Sequence, residues 1–127
     1  MLEPAKKRYD IQVTAANQKF TQTFELDKNV KSLVGLLFTS DKDDLLYFRG
    51  EQRVEINGKE YFPENYESKL LMSGINVEPA KRYYPLNGAN PGNGLVKISY
   101  QDKDDGRTVF APYRVSLYLD CMAEDNL

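Results

Sequence analysis

Apolar and polar positions alternate along much of this chain with a period of two, the spacing of a half-buried β-strand. Tyr9, Ile11, Val13 and Ala15 share one face, and Asp10, Gln12 and Thr14 the other. Lys19–Leu26 repeats the pattern, with Phe20, Gln22, Phe24 and Leu26 against Lys19, Thr21, Thr23 and Glu25. Joined by a turn at Asn17-Gln18, the two predict an opening hairpin. Val30–Phe38 breaks the alternation and is the most apolar run in the chain. With turn residues at Asp27–Asn29 before it and the polar turn Thr39–Asp44 after it, it predicts a central strand covered on both faces.

Further along, Leu45–Arg49 predicts a short strand and Gly50–Gln52 a turn. Asn57-Gly58, between Arg53–Ile56 and Lys59–Phe62, supplies the positive φ angles of a two-residue type I′ hairpin turn. Pro63 is expected to stop the second arm. Glu64–Ser73 fits both periods: Tyr66, Leu70 and Leu71 are spaced for a helix, while Tyr66, Ser68, Leu70 and Met72 alternate. A helix of two turns is marginal alone, so an irregular or strand-like segment is expected. Val77–Tyr84 is expected to hold a short edge strand limited by Pro79 and Pro85. Leu86–Gly94 is dense in turn residues and predicts an exposed loop. Leu95–Gln101 alternates, with Val96, Ile98 and Tyr100 inward. Asp102–Gly106 predicts a hairpin loop, Arg107–Ala111 a return and Tyr113–Leu119 the closing strand.

About eight or nine short strands with regularly spaced turns predict an all-β fold, an antiparallel β-sandwich or jelly roll. The single domain is expected over 9–120. Residues 1–8, with Pro4 and the Lys6-Lys7-Arg8 cluster, are expected as an arm, flexible or bound by a partner. Residues 121–127 are expected as a mobile tail.

Composition removes most chemistry. The 127 residues carry 17 Lys and Arg against 19 Asp and Glu, no His and one Cys, for a formal charge of −2. That balance leaves no electrostatic footprint for nucleic acid, and none is expected as a partner. One cysteine allows no disulfide within the chain, and without His the usual zinc, copper and iron ligand sets are missing. No metal or cofactor is expected, and no catalytic residue. Cys121 lacks the commonest base for a nucleophile and is expected as an inert thiol. Nine Tyr and six Phe, with no Trp, suit pleated surfaces. No apolar stretch follows the basic residues near the start, and none approaches the length of a membrane span, about 18 residues. The expectation is a cytoplasmic protein, or one assembled in a cytoplasm, without a membrane partner.

The remaining candidates are weak as catalysts. Asp41-Lys42-Asp43-Asp44 and Asp102-Lys103-Asp104-Asp105 bunch carboxylates but lack the spacing of a calcium loop, and suit solvated turns. A glycosidase pair among so many acids cannot be picked out by spacing. Asn87–Gly94 is glycine-rich without the Lys-Ser/Thr ending of a phosphate loop. Tyr47-Phe48-Arg49 and Arg82-Tyr83-Tyr84 set aromatics beside Arg, the combination enriched at protein interfaces. The contact candidates are therefore Lys6, Arg8, Tyr47, Arg49, Tyr83 and Tyr84.

The strand succession from Tyr9 to Leu119, the basic Lys6-Lys7-Arg8 and the closing Tyr113–Leu119 resemble, in broad pattern, the small β-sandwich or jelly-roll virion proteins of bacteriophages. The resemblance covers the domain and carries no specific motif. It implies a structural subunit of a larger assembly, such as a capsid or capsid-decorating protein, whose partners are copies of itself or other particle proteins. The alternative expectation is a β-sandwich module that binds a carbohydrate or a cell-surface ligand. A small hydrolase is a third, and it ranks last.

Overall fold

The computed structural model describes residues 2–74, 76–78 and 81–124, with the side chain of Glu64 left aside. Its strands are β1 (Leu2–Val13), β2 (Lys19–Glu25), β3 (Val30–Ser40), β4 (Gly50–Ile56), β5 (Lys59–Glu67), β6 (Tyr84–Ala89), β7 (Leu95–Asp102) and β8 (Tyr113–Glu124). A helix α1 (Asp43–Arg49) and a 3-10 helix (Ser68–Leu71) interrupt the series.

The strands form two four-stranded antiparallel sheets, ordered β1-β8-β3-β6 and β2-β7-β4-β5. Strand β1 pairs with β8, β2 with β7, β3 with β6 and β4 with β5. The chain is thus one long antiparallel ribbon rolled on itself, which is a jelly roll. The rolling separates the expected opening hairpin. Strands β1 and β2 both exist, but they lie in different sheets and the connection between them crosses the sandwich. Alternation alone cannot choose a strand's neighbour, because either pairing buries the same face.

The core fills the space between the sheets. From one come Ile11, Val13, Leu36, Phe38, Val115, Leu117 and Leu119, and from the other Val54, Ile56, Val96, Ile98 and Tyr100, all buried. The β7 alternation is as expected, with Val96, Ile98 and Tyr100 inward. Strand β3 is an interior strand whose Leu36, Leu37 and Phe38 are consecutively buried, but it is not covered on both faces throughout as expected, since Lys31 and Val34 are exposed. Asn57 (φ 55°) and Gly58 (φ 75°) make the expected turn, with Ile56 opposite Lys59.

Several local expectations differ. Leu45–Arg49 is helical, not a strand. Two acids in the first turn favour the helix dipole, and Leu45, Leu46 and Arg49 bury one face at helical spacing. Gly50–Gln52 opens β4 instead of turning. Pro63 does not end β5, because β5 is an edge strand and its register with β4 shifts. Leu86–Ala89 belongs to β6, and Leu86 is buried. The strand expected in Val77–Tyr84 begins only at Tyr84, and Pro79 lies outside the described residues. Arg107–Ala111 is not a strand.

The expected arm is instead the first half of β1. Leu2–Arg8 pairs residue by residue with β8, and its lysines find counter-charges: Lys6 Nζ reaches Asp120 of β8 at 2.8 Å and Lys7 Nζ reaches Asp27, in the β2–β3 connection, at 2.6 Å. Likewise Cys121–Glu124 continues β8, with Cys121 and Ala123 buried, while 125–127 lie outside the described residues.

Candidate functional site

Successive connections in an antiparallel roll alternate between its two ends. The β1–β2, β3–β4, β5–β6 and β7–β8 connections therefore share one end, and the last three of these are the long ones. They bring together α1, the 3-10 helix and the 103–112 loop. The other end carries the short turns, where Asn57 Oδ1 accepts from Asn93 N at 3.0 Å.

A buried polar network ties the long-loop end together. Asp102, at the end of β7, is fully buried, and Arg49, the last residue of α1, is 3% exposed. Arg49 Nε and Nη2 donate to Asp102 Oδ1 (3.1 Å) and Oδ2 (2.8 Å), a two-pronged pair. Arg49 Nη1 also donates to the Thr108 carbonyl at 2.8 Å. Tyr113 Oη donates to Asp102 Oδ1 at 2.7 Å, and the Tyr100 and Tyr113 hydroxyls lie 2.7 Å apart. Asn17 N donates to Asp102 Oδ2 at 3.0 Å, which brings in the β1–β2 connection. Burial pushes the Asp102 carboxyl upward, but the hydrogen bonds from Arg49, Tyr113 and Asn17 outweigh it and hold the group below the usual carboxylate range. Burial pushes both tyrosine hydroxyls up. These groups stay in one protonation state across the neutral range, which suits a fastener better than an acid–base catalyst.

The fastener sets the orientation of α1. With Leu45, Leu46 and Arg49 turned inward, Tyr47 (46% exposed) and Phe48 (54%) face outward. Their rings meet edge to face at 4.8 Å. Lys69 Nζ stands 5.9 Å from the Tyr47 ring and pairs with Glu67 at 2.9 Å, and Leu70 beside it is 57% exposed. Tyr47 and Phe48 form a wall between two clefts. One, of about 510 Å³, is lined by Glu51, Glu67, Lys69, Lys103, Asp104 and Arg107. The other, of about 440 Å³, includes Asp43, Asp44, Met72 and Ser73.

The six contact candidates fall into separate places. Tyr47 is on this wall, whereas Arg49 behind it is core and is corrected as a contact residue. Its charge is consumed by Asp102, because a buried guanidinium must be paired. Lys6, Arg8 and Tyr83 share the outer face of the β1-β8-β3 layer. Lys6 Nζ is 5.5 Å from the Tyr83 ring, and Arg8 pairs with Asp10 at 2.9 Å and faces the Tyr118 ring. Tyr83 packs where Gly35 leaves room, since a Cβ there would stand 2.7 Å from the Tyr83 Cβ. Tyr84 sits elsewhere, edge-on to Phe62 at 5.1 Å. Phe48 and Leu70 were not among the candidates. The signal that marks Phe48 is the helical spacing of Leu45, Leu46 and Arg49, which forces Tyr47-Phe48 outward.

Carboxylates of both acidic loops accept hydrogen bonds from backbone N–H groups. Asp105 accepts from Thr108 N at 2.7 Å and Arg107 N at 3.0 Å, which draws its carboxyl down to about 2. Asp41 Oδ1 accepts from Arg114 N at 2.8 Å. Among the described residues no group of three or more His, Cys, Asp or Glu is placed to hold a metal ion. No helix among them is long and apolar enough to cross a membrane. No protein family, curated protein or solved structure matches the chain.

Proposed function

We propose that the protein is a non-enzymatic structural subunit of a larger assembly, of the kind a phage capsid or capsid-decorating protein represents, acting through protein–protein contacts. The observation that carries this reading is the Tyr47–Phe48 pair. Two adjoining large rings stand half-exposed on a helix whose inner face is locked by a buried ion pair. Rigid aromatic anchors ringed by charged residues are the anatomy of a protein interface. The jelly roll agrees with it, since that architecture recurs in viral capsids, though fold alone does not decide function.

A second reading, a carbohydrate- or cell-surface-binding module, is favoured by the clefts themselves. Each sets the face or edge of an aromatic ring beside carboxylates and a Lys, and jelly rolls also serve lectins.

The test is sedimentation of extracts from cells that make the protein with its natural neighbours, for the wild type and a Tyr47→Ser/Phe48→Ser variant. Under the assembly reading, wild type travels with large particles and the variant is left behind. A wild type that stays in the small fraction, with a melting temperature raised by one member of a glycan panel, supports the second reading and overturns the first.

A further inference from the structure

The edges of the two sheets are not alike. Strand β1 carries Pro4 and the Lys6-Lys7-Arg8 run, β5 carries Pro63 and two register shifts, and β6 carries Pro85 with Asn87 and Gly88 at positive φ. Proline, charge runs and bulges are the means by which sheet edges avoid pairing with other chains. Strand β2, Lys-Phe-Thr-Gln-Thr-Phe-Glu, has neither Pro nor Gly. Its register with β7 runs unbroken from Lys19–Gln101 to Glu25–Leu95. It is the edge left open.

The backbone of β2 also points the right way. Asp102 N donates to Gln18 O at 3.0 Å and Leu26 N donates to Gly94 O at 2.8 Å, which brackets the strand. Antiparallel ladders alternate between bonded and non-bonded pairs, so the even-numbered residues of β2 bond to β7. Lys19, Thr21, Thr23 and Glu25 then aim their N–H and C=O groups at the open edge.

The sequence of β2 is complementary to itself. Laid antiparallel against a second copy about a two-fold axis through Gln22, Lys19 meets Glu25, Phe20 meets Phe24 and Thr21 meets Thr23. Within each pair the two side chains lie on the same face. The Lys–Glu and Thr–Thr pairs are on the outer side and the Phe–Phe pairs on the core side, where the Tyr9 ring already stacks on Phe24 at 4.7 Å. The outward backbone groups lie at Thr21–Thr23 and Lys19–Glu25, the positions where such a pairing needs them, giving about eight main-chain hydrogen bonds. These are the cross-strand combinations that stabilise antiparallel pairs.

We propose that β2 is a homodimer edge: two copies pair β2 to β2 about a two-fold axis through Gln22 and fuse two sheets into one. The inference rests on the assembly reading in that it names the first partner, a second copy of this chain. A two-fold contact presents the same patch twice, and only a self-complementary strand satisfies that.

The test is the molar mass of the full chain by light scattering across a concentration series. Wild type is expected to approach twice 14.6 kDa. Lys19→Glu and Glu25→Lys alone each set like charges together on both sides of the axis and should raise the dimer Kd about tenfold. The double variant, and an equimolar mixture of the two single variants, should return it to the wild-type value. Thr23→Pro removes an outward N–H without touching the β7 ladder and should leave a monomer. A wild type that stays monomeric, or a dimer indifferent to the charge exchange, overturns the proposal. The charge exchange decides even if the proline variant does not fold. A monomer that still joins particles overturns the β2 pairing alone, whereas a β2 dimer that never joins a particle overturns the assembly reading alone.

Discussion

Arg49 and Asp102 meet inside the protein, with Nη2 2.8 Å from Oδ2 and both side chains at most 2% exposed. One closes α1 and the other closes β7, so this pair connects two loops that are far apart in the chain. Asp102→Ala removes the buried, two-pronged partner of the Arg49 guanidinium, leaving only the longer 3.4 Å contact to the exposed Asp104, and should destabilise the protein by about 3–5 kcal/mol, measured by urea unfolding. Arg49→Ala should lose a similar amount. The double variant should lose less than the sum, because neither charge is then left alone.

Stability should fall in acid, with a sign set by Asp102. Its carboxyl is held below the ordinary range in the folded protein, so its contribution is complete above the unfolded value of about 3.9 and is lost as pH falls through the folded value. The urea midpoint should therefore drop steadily below about pH 4. Asp10, Asp41 and Asp105 are held low as well and add to the slope. Asp102→Asn should flatten the curve without abolishing it, and a slope unchanged in that variant would contradict the assignment.

Gly50 is required by space. A Cβ there would stand 2.5 Å from the Tyr100 hydroxyl, 2.6 Å from the Leu46 carbonyl oxygen and 2.7 Å from Ser68 Oγ. Its backbone is ordinary extended chain (φ −93°), so the penalty is steric. Gly50→Ala should lower stability by about 1–3 kcal/mol. It should also disturb α1, seen as a changed tyrosine environment in near-ultraviolet circular dichroism.

Cys121 should be inert while the protein is folded. It is fully buried, and burial pushes its thiol up to about 11. At pH 8 its reaction with an aromatic disulfide reagent should be at least about a hundredfold slower than in urea. Rapid native labelling would mean that the end of β8 opens readily.

How far the chain could be read in advance depends on the range of the interactions. The β7 face of Val96, Ile98 and Tyr100, the Asn57-Gly58 turn, the apolar β3 run and the closing strand are local patterns. Alternation and turn chemistry act between residues close in sequence, and they yielded the class of fold and most of its strands. Tyr47 was legible as a contact candidate for a similar reason, since a large ring beside polar neighbours is conspicuous in a chain of this charge, and the structure leaves that ring half-exposed.

Partnership across the chain was not legible. Leu2–Arg8 looks like a free arm until β8 supplies a ladder and Asp120 and Asp27 supply counter-charges. Leu45–Arg49 suits a strand or a helix equally, and Asp102 decides, because only a helix delivers Arg49 to it while Leu45 and Leu46 are buried. Leu86–Ala89 is turn-rich yet becomes an edge strand, because β3 offers it a ladder and the core takes Leu86. The sequence by itself determined an all-β sandwich and a side-chain inventory with no His and a single Cys. The tertiary structure decided which strands pair, which charges are buried and which aromatics face water, because those outcomes are settled by residues distant in the chain, 53 positions apart for Arg49 and Asp102 and 114 for Lys6 and Asp120.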